Sequence, residues 1–197
     1  NKILSEIEDG NSLIIHGKAG YGKSGCVYDI LQKIKSKGIG VLALKLDRRM
    51  PKDSAKKYGK ILDLPASPIH CINELYKYEK AVIIFDQLDA IRWTNTHSST
   101  SIDVCKEMIR QVEQINLERK NNISIVFVCR TYDYENDKSI KSLFTLKNDE
   151  ATSNKMKWID IRIDELDDSD VKKVSGNIYN NFSKRMKEIL KVPNNLY

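Results

Sequence analysis

Residues 17–24 read Gly-Lys-Ala-Gly-Tyr-Gly-Lys-Ser, a full G-x-x-x-x-G-K-[ST] match placed directly after the apolar run Leu13-Ile14-Ile15. Few eight-residue patterns constrain a fold so strongly, because this one works only when a strand delivers it and a helix leaves it. Gly17, Gly20 and Gly22 let the backbone curl where a Cβ would clash, so that amide hydrogens converge into an anion nest. Lys23 adds a mobile full charge, and a helix opening near Gly22 adds about half a positive charge at its N-terminus. Ser24 offers its hydroxyl to Mg²⁺. The segment from Gly17 through Lys18, Ala19, Gly20, Tyr21, Gly22, Lys23 and Ser24 to Gly25 is therefore a cradle for nucleotide phosphates. The helix is legible without the motif: Val27, Ile30, Leu31 and Ile34 recur at helical spacing, and Gly38 stands where a C-terminal cap belongs.

Metal-bound phosphate needs an acid, and Ala81-Val82-Ile83-Ile84-Phe85-Asp86 supplies one at the end of an apolar run typical of a strand buried on both faces. Asp86 then emerges where open α/β sheets bind ligands, as the partner of Ser24 for Mg²⁺. Asp89, three residues on, is placed to orient the attacking water, since phosphoryl transfer is mostly positioning and electrostatics. The plainer readings are a strand-end cap for Asp86 and an exposed turn acid for Asp89.

Five apolar runs, at residues 12–16, 39–46, 81–85, 123–129 and 158–163, alternate with helical patterns. This is the signature of a parallel α/β sheet covered on both faces. Ser67-Pro68 reads as an N-cap and first helical residue, followed by a stripe of Ile69, Ile72, Leu75 and Tyr76. Ile102, Cys105, Met108, Ile109, Val112 and Ile115 mark a second long amphipathic helix. Two polar stretches, 94–101 and 147–157, read as surface loops, the first close enough to a nucleotide to respond to it. Arg130 closes the fourth run. If that strand lies between the first and third, Arg130 reaches the γ-phosphate; otherwise it pairs with Asp133, Glu135 or Asp137.

A chain of 197 residues supports one sizeable α/β core. It holds no apolar stretch near the roughly 20 residues of a membrane helix and no signal-like start, so a cytoplasmic location and no membrane partner are expected. Its four cysteines, at 26, 71, 105 and 129, lack metal or redox spacing and read as free thiols. His16, His70 and His97 read as packing or surface residues. The net charge of +6 is spread over helical faces without aromatic clustering, so no direct nucleic-acid contact by this segment is expected.

Phosphate loop, intervening strand, Asp86 with Asp89, and Arg130 closing the fourth strand occur in the order found in AAA+ and STAND nucleotide-binding modules. In its details, Ser67-Pro68, residues 82–90 (VIIFDQLDA) and residues 128–133 (VCRTYD), the chain most resembles the STAND NTPases of bacterial antiviral (AVAST-type) systems, themselves similar to NACHT modules. The resemblance implies a P-loop NTPase three-layer sandwich with strand order 5-1-4-3-2 over residues 1–165. A helical lid domain would begin at 166–197, within a longer protein. It implies an ATPase of slow intrinsic turnover that binds ATP or ADP with Mg²⁺ and forms a homo-oligomer on activation. A phage-protein ligand would act through a sensor region outside this chain, and an effector would be switched on. It assigns Lys23 and Ser24 to phosphates and Mg²⁺, Asp86 to Mg²⁺, Asp89 to the water and Arg130 to the γ-phosphate, and it likens Pro193 to a proline near the adenine. A Pro ending a helix is equally ordinary, and the basic residue expected after Asp89 is replaced by the Ser/Thr/Asn run. The alternatives are a DNA-associated AAA+ loader or initiator, a small-molecule P-loop kinase, and a non-catalytic nucleotide-dependent scaffold.

Overall fold

A computed structural model describes residues 2–93, 98–144 and 156–195. Five parallel strands form one sheet: β1 (Ser12–Gly17), β2 (Gly40–Lys45), β3 (Ala81–Asp86), β4 (Ile123–Arg130) and β5 (Trp158–Ile163). Their spatial order is β2-β3-β4-β1-β5, the sequence expectation read from the other edge. β1, β3 and all of β4 but its last residue are buried, and mostly apolar, because helices cover both faces. Edge strand β5 alternates instead, with Asp160 and Arg162 its exposed positions.

Helices α1 (Lys2–Glu8) and α2 (Lys23–Ser36) share one core with Leu13, Ile15, Val82, Ile84, Val126 and Val128. The other face carries α3 (Ala55–Ile61), α4 (Pro68–Leu75), α5 (Ser98–Asn116), α6 (Thr131–Asn136) and α7 (Lys138–Phe144). Phe85 and Phe127 stack at its centre with ring centroids 5.0 Å apart. Ser67 caps α4 by accepting from the His70 amide, with Pro68 in the first turn, as the sequence indicated.

Two expectations are corrected. Leu75 is 76% exposed and leaves the α4 stripe. Tyr76 takes the inward place, its ring lying across Gly40 where any Cβ would fall 2.2 Å from it. The polar run 94–101 is not all loop: residues 94–97 lie outside the described residues, but α5 already begins at Ser98. Ser101 is buried and donates to the Pro51 carbonyl at 2.6 Å, a long-range hydrogen bond that a composition-based loop reading overlooks. Most of the stretch 147–157 also lies outside the described residues.

After β5 come α8 (Asp168–Ser175), a 3₁₀ turn (Gly176–Asn181), α9 (Lys184–Leu190) and a final 3₁₀ turn (Pro193–Asn195). Among the described residues from 166 on, only Val171 is buried. Among the described residues, no helix is long and apolar enough to cross a membrane.

Candidate nucleotide site

Parallel strands present their C-terminal ends at one edge, and the register aligns Gly17 of β1 with Arg130 of β4, and Lys45 of β2 with Asp86 of β3. The phosphate loop leaves β1 at this edge. Gly17 is held so closely to β5 that an added Cβ would sit 2.7 Å from the Ile163 carbonyl oxygen. Gly20 (φ 80°) and Gly22 (φ 76°) occupy the left-handed region, the latter as N-cap of α2. This conformation disfavours side chains and turns amides into the loop. Lys23 folds back over the loop, its Nζ donating to the carbonyls of Gly17 and Lys18, each at 2.9 Å. Burial lowers the pKa of its ammonium; Asp89 opposes this, Arg130 adds to it, and Cys129 and Asp86 oppose it.

Beyond Lys23 lies the acid cluster. Asp86 is 5% exposed and accepts the Gln87 amide at 2.9 Å. Gln87 has φ 61°, unusual for a residue with a side chain, and this sharp turn sends Leu88 into the core. The following 3₁₀ turn (Leu88–Trp93) carries Asp89, 7% exposed, so it is no solvent-facing turn acid. Burial raises the Asp86 carboxyl, against Lys45 and the Gln87 amide, with Asp47 and Asp89 pushing further up. Burial likewise raises Asp89, with Arg130 the main opposing group. The Arg130 side chain, 48% exposed, places Nε 3.0 Å from Asp89 Oδ2. β4 thus lies between β1 and β3, the condition under which Arg130 was expected at the site. Its partner is the buried Asp89, not one of the acids that follow it in sequence.

A cavity of about 350 Å³ opens over the loop, lined by Gly20, Gly22, Lys23, Ser24, Gly25, Pro193 and Asn194. The Asn194 amide donates to the Gly20 carbonyl at 3.1 Å, and a Cβ on Gly20 would meet Val192 Cγ1 at 3.1 Å. Pro193 therefore sits beside the phosphate loop, brought there from the far end of the chain. Asn194 and Val192, which sequence reasoning passed over, come with it; an ordinary Val-Pro-Asn after a helix carries no signal of such docking. Lys18, Ala19 and Tyr21 stay at the outer rim, where the Tyr21 hydroxyl donates to Glu165 at 3.3 Å and Lys18 Nζ lies 5.9 Å from the Tyr21 ring centroid. All four cysteines are free thiols. Among the described residues no group of three or more His, Cys, Asp or Glu side chains could hold a metal alone. The donor set fits a cation shared between the Ser24 hydroxyl, Asp86 and phosphate oxygens.

A lysine-bearing phosphate loop between a strand and a helix, with one carboxylate ending β3 and a second in the turn that follows it, defines a P-loop NTPase. Residues 13–148 match the model of the ATPase family associated with various cellular activities (AAA), well over half of the chain, and the chain belongs to that family of nucleotide-hydrolysing proteins. No curated protein matches it in sequence. Among solved structures it is similar to AMPPCP-bound DnaA from Aquifex aeolicus (15% identity, TM-score 0.55, covering 99% of this chain and 57% of that one). It is also similar to Cdc6p from Pyrobaculum aerophilum (12%, 0.53, 96% and 51%) and to a chain of the Escherichia coli MS115-1 HORMA:CdnC:Trip13 complex (10%, 0.53, 92% and 58%). At such identities the likeness establishes the fold. The chain spans a little over half the length of these structures.

Proposed function

We propose that this segment is a nucleotide-dependent switch: it binds ATP and ADP with Mg²⁺, hydrolyses ATP slowly, and reads the γ-phosphate through Arg130. The observation that carries the reading is the pairing of strand ends. Gly17 and Arg130 are register partners, Lys23 Nζ donates to the Gly17 and Lys18 carbonyls and feels the charge of Asp89, and Asp86 ends the next strand. In this reading Lys23 and the loop amides bind the β- and γ-phosphates, while Ser24 and Asp86 hold the cation, which when bound neutralises charge on the phosphate oxygens. Asp89 orients the attacking water. When triphosphate binds, Arg130 exchanges Asp89 for the γ-phosphate. Asn194, bonded to Gly20, and Pro193, beside Gly22, tie the phosphate loop to the C-terminal helices, which act as the start of a lid domain.

The sequence resemblance to STAND NTPases supports placing this switch in antiphage signalling. There it would control oligomerisation and an effector in response to a phage protein sensed elsewhere in a longer chain. An isolated module would bind better than it turns over, because without an added arginine rates fall by about 10³ to 10⁵. Fluorescent-nucleotide titration tests the core of this: wild type binds, Lys23→Ala loses triphosphate affinity, and unchanged affinity in that variant removes the assignment.

A second reading, a DNA-associated AAA+ initiator, is supported by the fold likeness to DnaA and Cdc6p. It requires duplex binding whose logarithm falls steeply and linearly with the logarithm of salt concentration. Absence of DNA binding at moderate salt leaves the signalling switch.

A further inference from the structure

His16 is an anomaly in its strand. Leu13, Ile14 and Ile15 are apolar and buried, yet the next residue is an imidazole only 4% exposed, immediately before Gly17. A valine would fit a doubly covered strand without the desolvation that a buried polar ring suffers unless both nitrogens are bonded. Both are. Nε2 lies 2.7 Å from Asp160 Oδ1 on β5, and Nδ1 lies 3.0 Å from Thr131 Oγ1 in the first turn of α6. Since a carboxylate only accepts, Nε2–H donates to Asp160, while the Thr131 hydroxyl, able to donate or accept, completes the bonding of Nδ1. The Tyr134 ring tilts over the imidazole with centroids 4.7 Å apart, and burial together with the nearby Asp160 raises its phenol to about 12. His16, held by Asp160, Thr131 and the Tyr134 ring, thus bridges β1, β5 and α6. Among the described residues no buried side-chain polar atom lacks a partner.

The position of this cluster gives it a use. Through its backbone His16 abuts Gly17, whose carbonyl anchors Lys23. Through its side chain it grips Thr131, the residue directly after Arg130. Beyond the β1–β4 ladder that pairs Gly17 with Arg130, this side chain thus adds a second tie between the strand that delivers the phosphate cradle and the turn that follows Arg130. We propose that His16 is a positioning residue which, through Thr131, sets Arg130 at the distance from the phosphate loop needed to meet a γ-phosphate. The inference rests on the proposed reading of Arg130. Its physical lever is that a misplacement of about 1 Å at a reacting group can lower rates by up to 10²-fold.

Thr131→Val removes the hydroxyl and keeps the shape; Thr131→Ser keeps the hydroxyl. Calorimetric titration with ADP and with ATPγS, neither requiring turnover, reads the effect. The expectation for Thr131→Val is about 3- to 10-fold weaker ATPγS binding with ADP binding unchanged, the size of one lost hydrogen bond. Thr131→Ser restores wild-type values. Asp160→Ala, at a half-exposed edge position, removes the other anchor of the ring and reproduces the selective loss. In an Arg130→Ala background Thr131→Val has no further effect, the coupling a double-mutant cycle isolates. Equal weakening of both nucleotides, or an undiminished effect without Arg130, overturns the positioning role and leaves the nucleotide switch standing. A wild type that binds neither nucleotide overturns both.

Discussion

Gly17 and Gly25 flank the phosphate-loop lysine, and the structure predicts opposite outcomes for the same substitution at the two sites. A Cβ on Gly17 would lie 2.7 Å from the Ile163 carbonyl oxygen and 3.2 Å from Ile163 Cβ. Carbon and carbonyl oxygen rest about 3.3 Å apart or more, so β1 and β5 must separate by roughly 0.6 Å. The obstruction is backbone, which cannot swing aside as a side chain would. Overpacking of this kind costs about 1–3 kcal/mol, and each kcal/mol lowers the melting temperature of a chain this size by about 2–4 °C. Gly17→Ala should therefore melt roughly 2–12 °C below wild type. A Cβ on Gly25 meets nothing within 4 Å, and the residue lies inside α2. There alanine is favoured over glycine by about 0.5–1 kcal/mol, so Gly25→Ala should melt about 1–4 °C higher. Circular dichroism melts of the nucleotide-free proteins decide it. Two shifts of the same sign, or an unperturbed Gly17→Ala, would refute the close-approach argument for how β5 backs the loop.

Asp86 sets function against stability. Its pKa is raised in the folded state, so the stability it contributes is present below the ordinary value of 3.8 and is lost as pH rises through the folded value. Asp86→Asn should thus be more stable than wild type at neutral pH, with the gap closing in acid, while hydrolysis falls; a gap independent of pH in thermal melts counts against a buried, destabilising carboxylate. The thiols offer a check on packing. Cys71 and, more slowly, Cys26 should react with a disulfide reagent in the native protein. Cys105 and Cys129, buried with thiols pushed to about 12, should react only on unfolding. Rapid reaction of all four would contradict the core.

Much of the fold was legible because a parallel sheet covered on both faces makes its strands into unbroken apolar runs. Residues 81–86 and 123–130 are of this kind, and an acid or arginine at the end of such a run can be located at the ligand-binding edge before any coordinates exist. The strand order followed from the family resemblance rather than from periodicity. Short elements were not legible: α3, α6 and α7 have six or seven residues each, too few turns to show a period. Leu75 was misjudged because helical spacing does not reveal where a helix ends and which ring reaches a glycine. The partner of Arg130 was missed because the pair joins two strand ends some forty residues apart in sequence, whereas the nearby acids were only neighbours along the chain. His16 carried a usable signal that went unread as function: a polar ring inside a doubly buried strand must find partners, and here they lie on β5 and α6. Docking of Pro193 and Asn194 on the phosphate loop depends on the path of the last helices, which local sequence does not encode.

The central claim is that the cradle around Lys23 and the carboxylate of Asp86 face each other across a metal-bound polyphosphate. The most direct test is a crystal structure with ATPγS and Mn²⁺, using anomalous scattering to locate the metal. The account predicts a single metal peak liganded by the Ser24 hydroxyl on the Asp86 side of the phosphates, with Arg130 turned from Asp89 to the γ-thiophosphate. A metal or nucleotide elsewhere, with the Arg130–Asp89 pair intact, would contradict it.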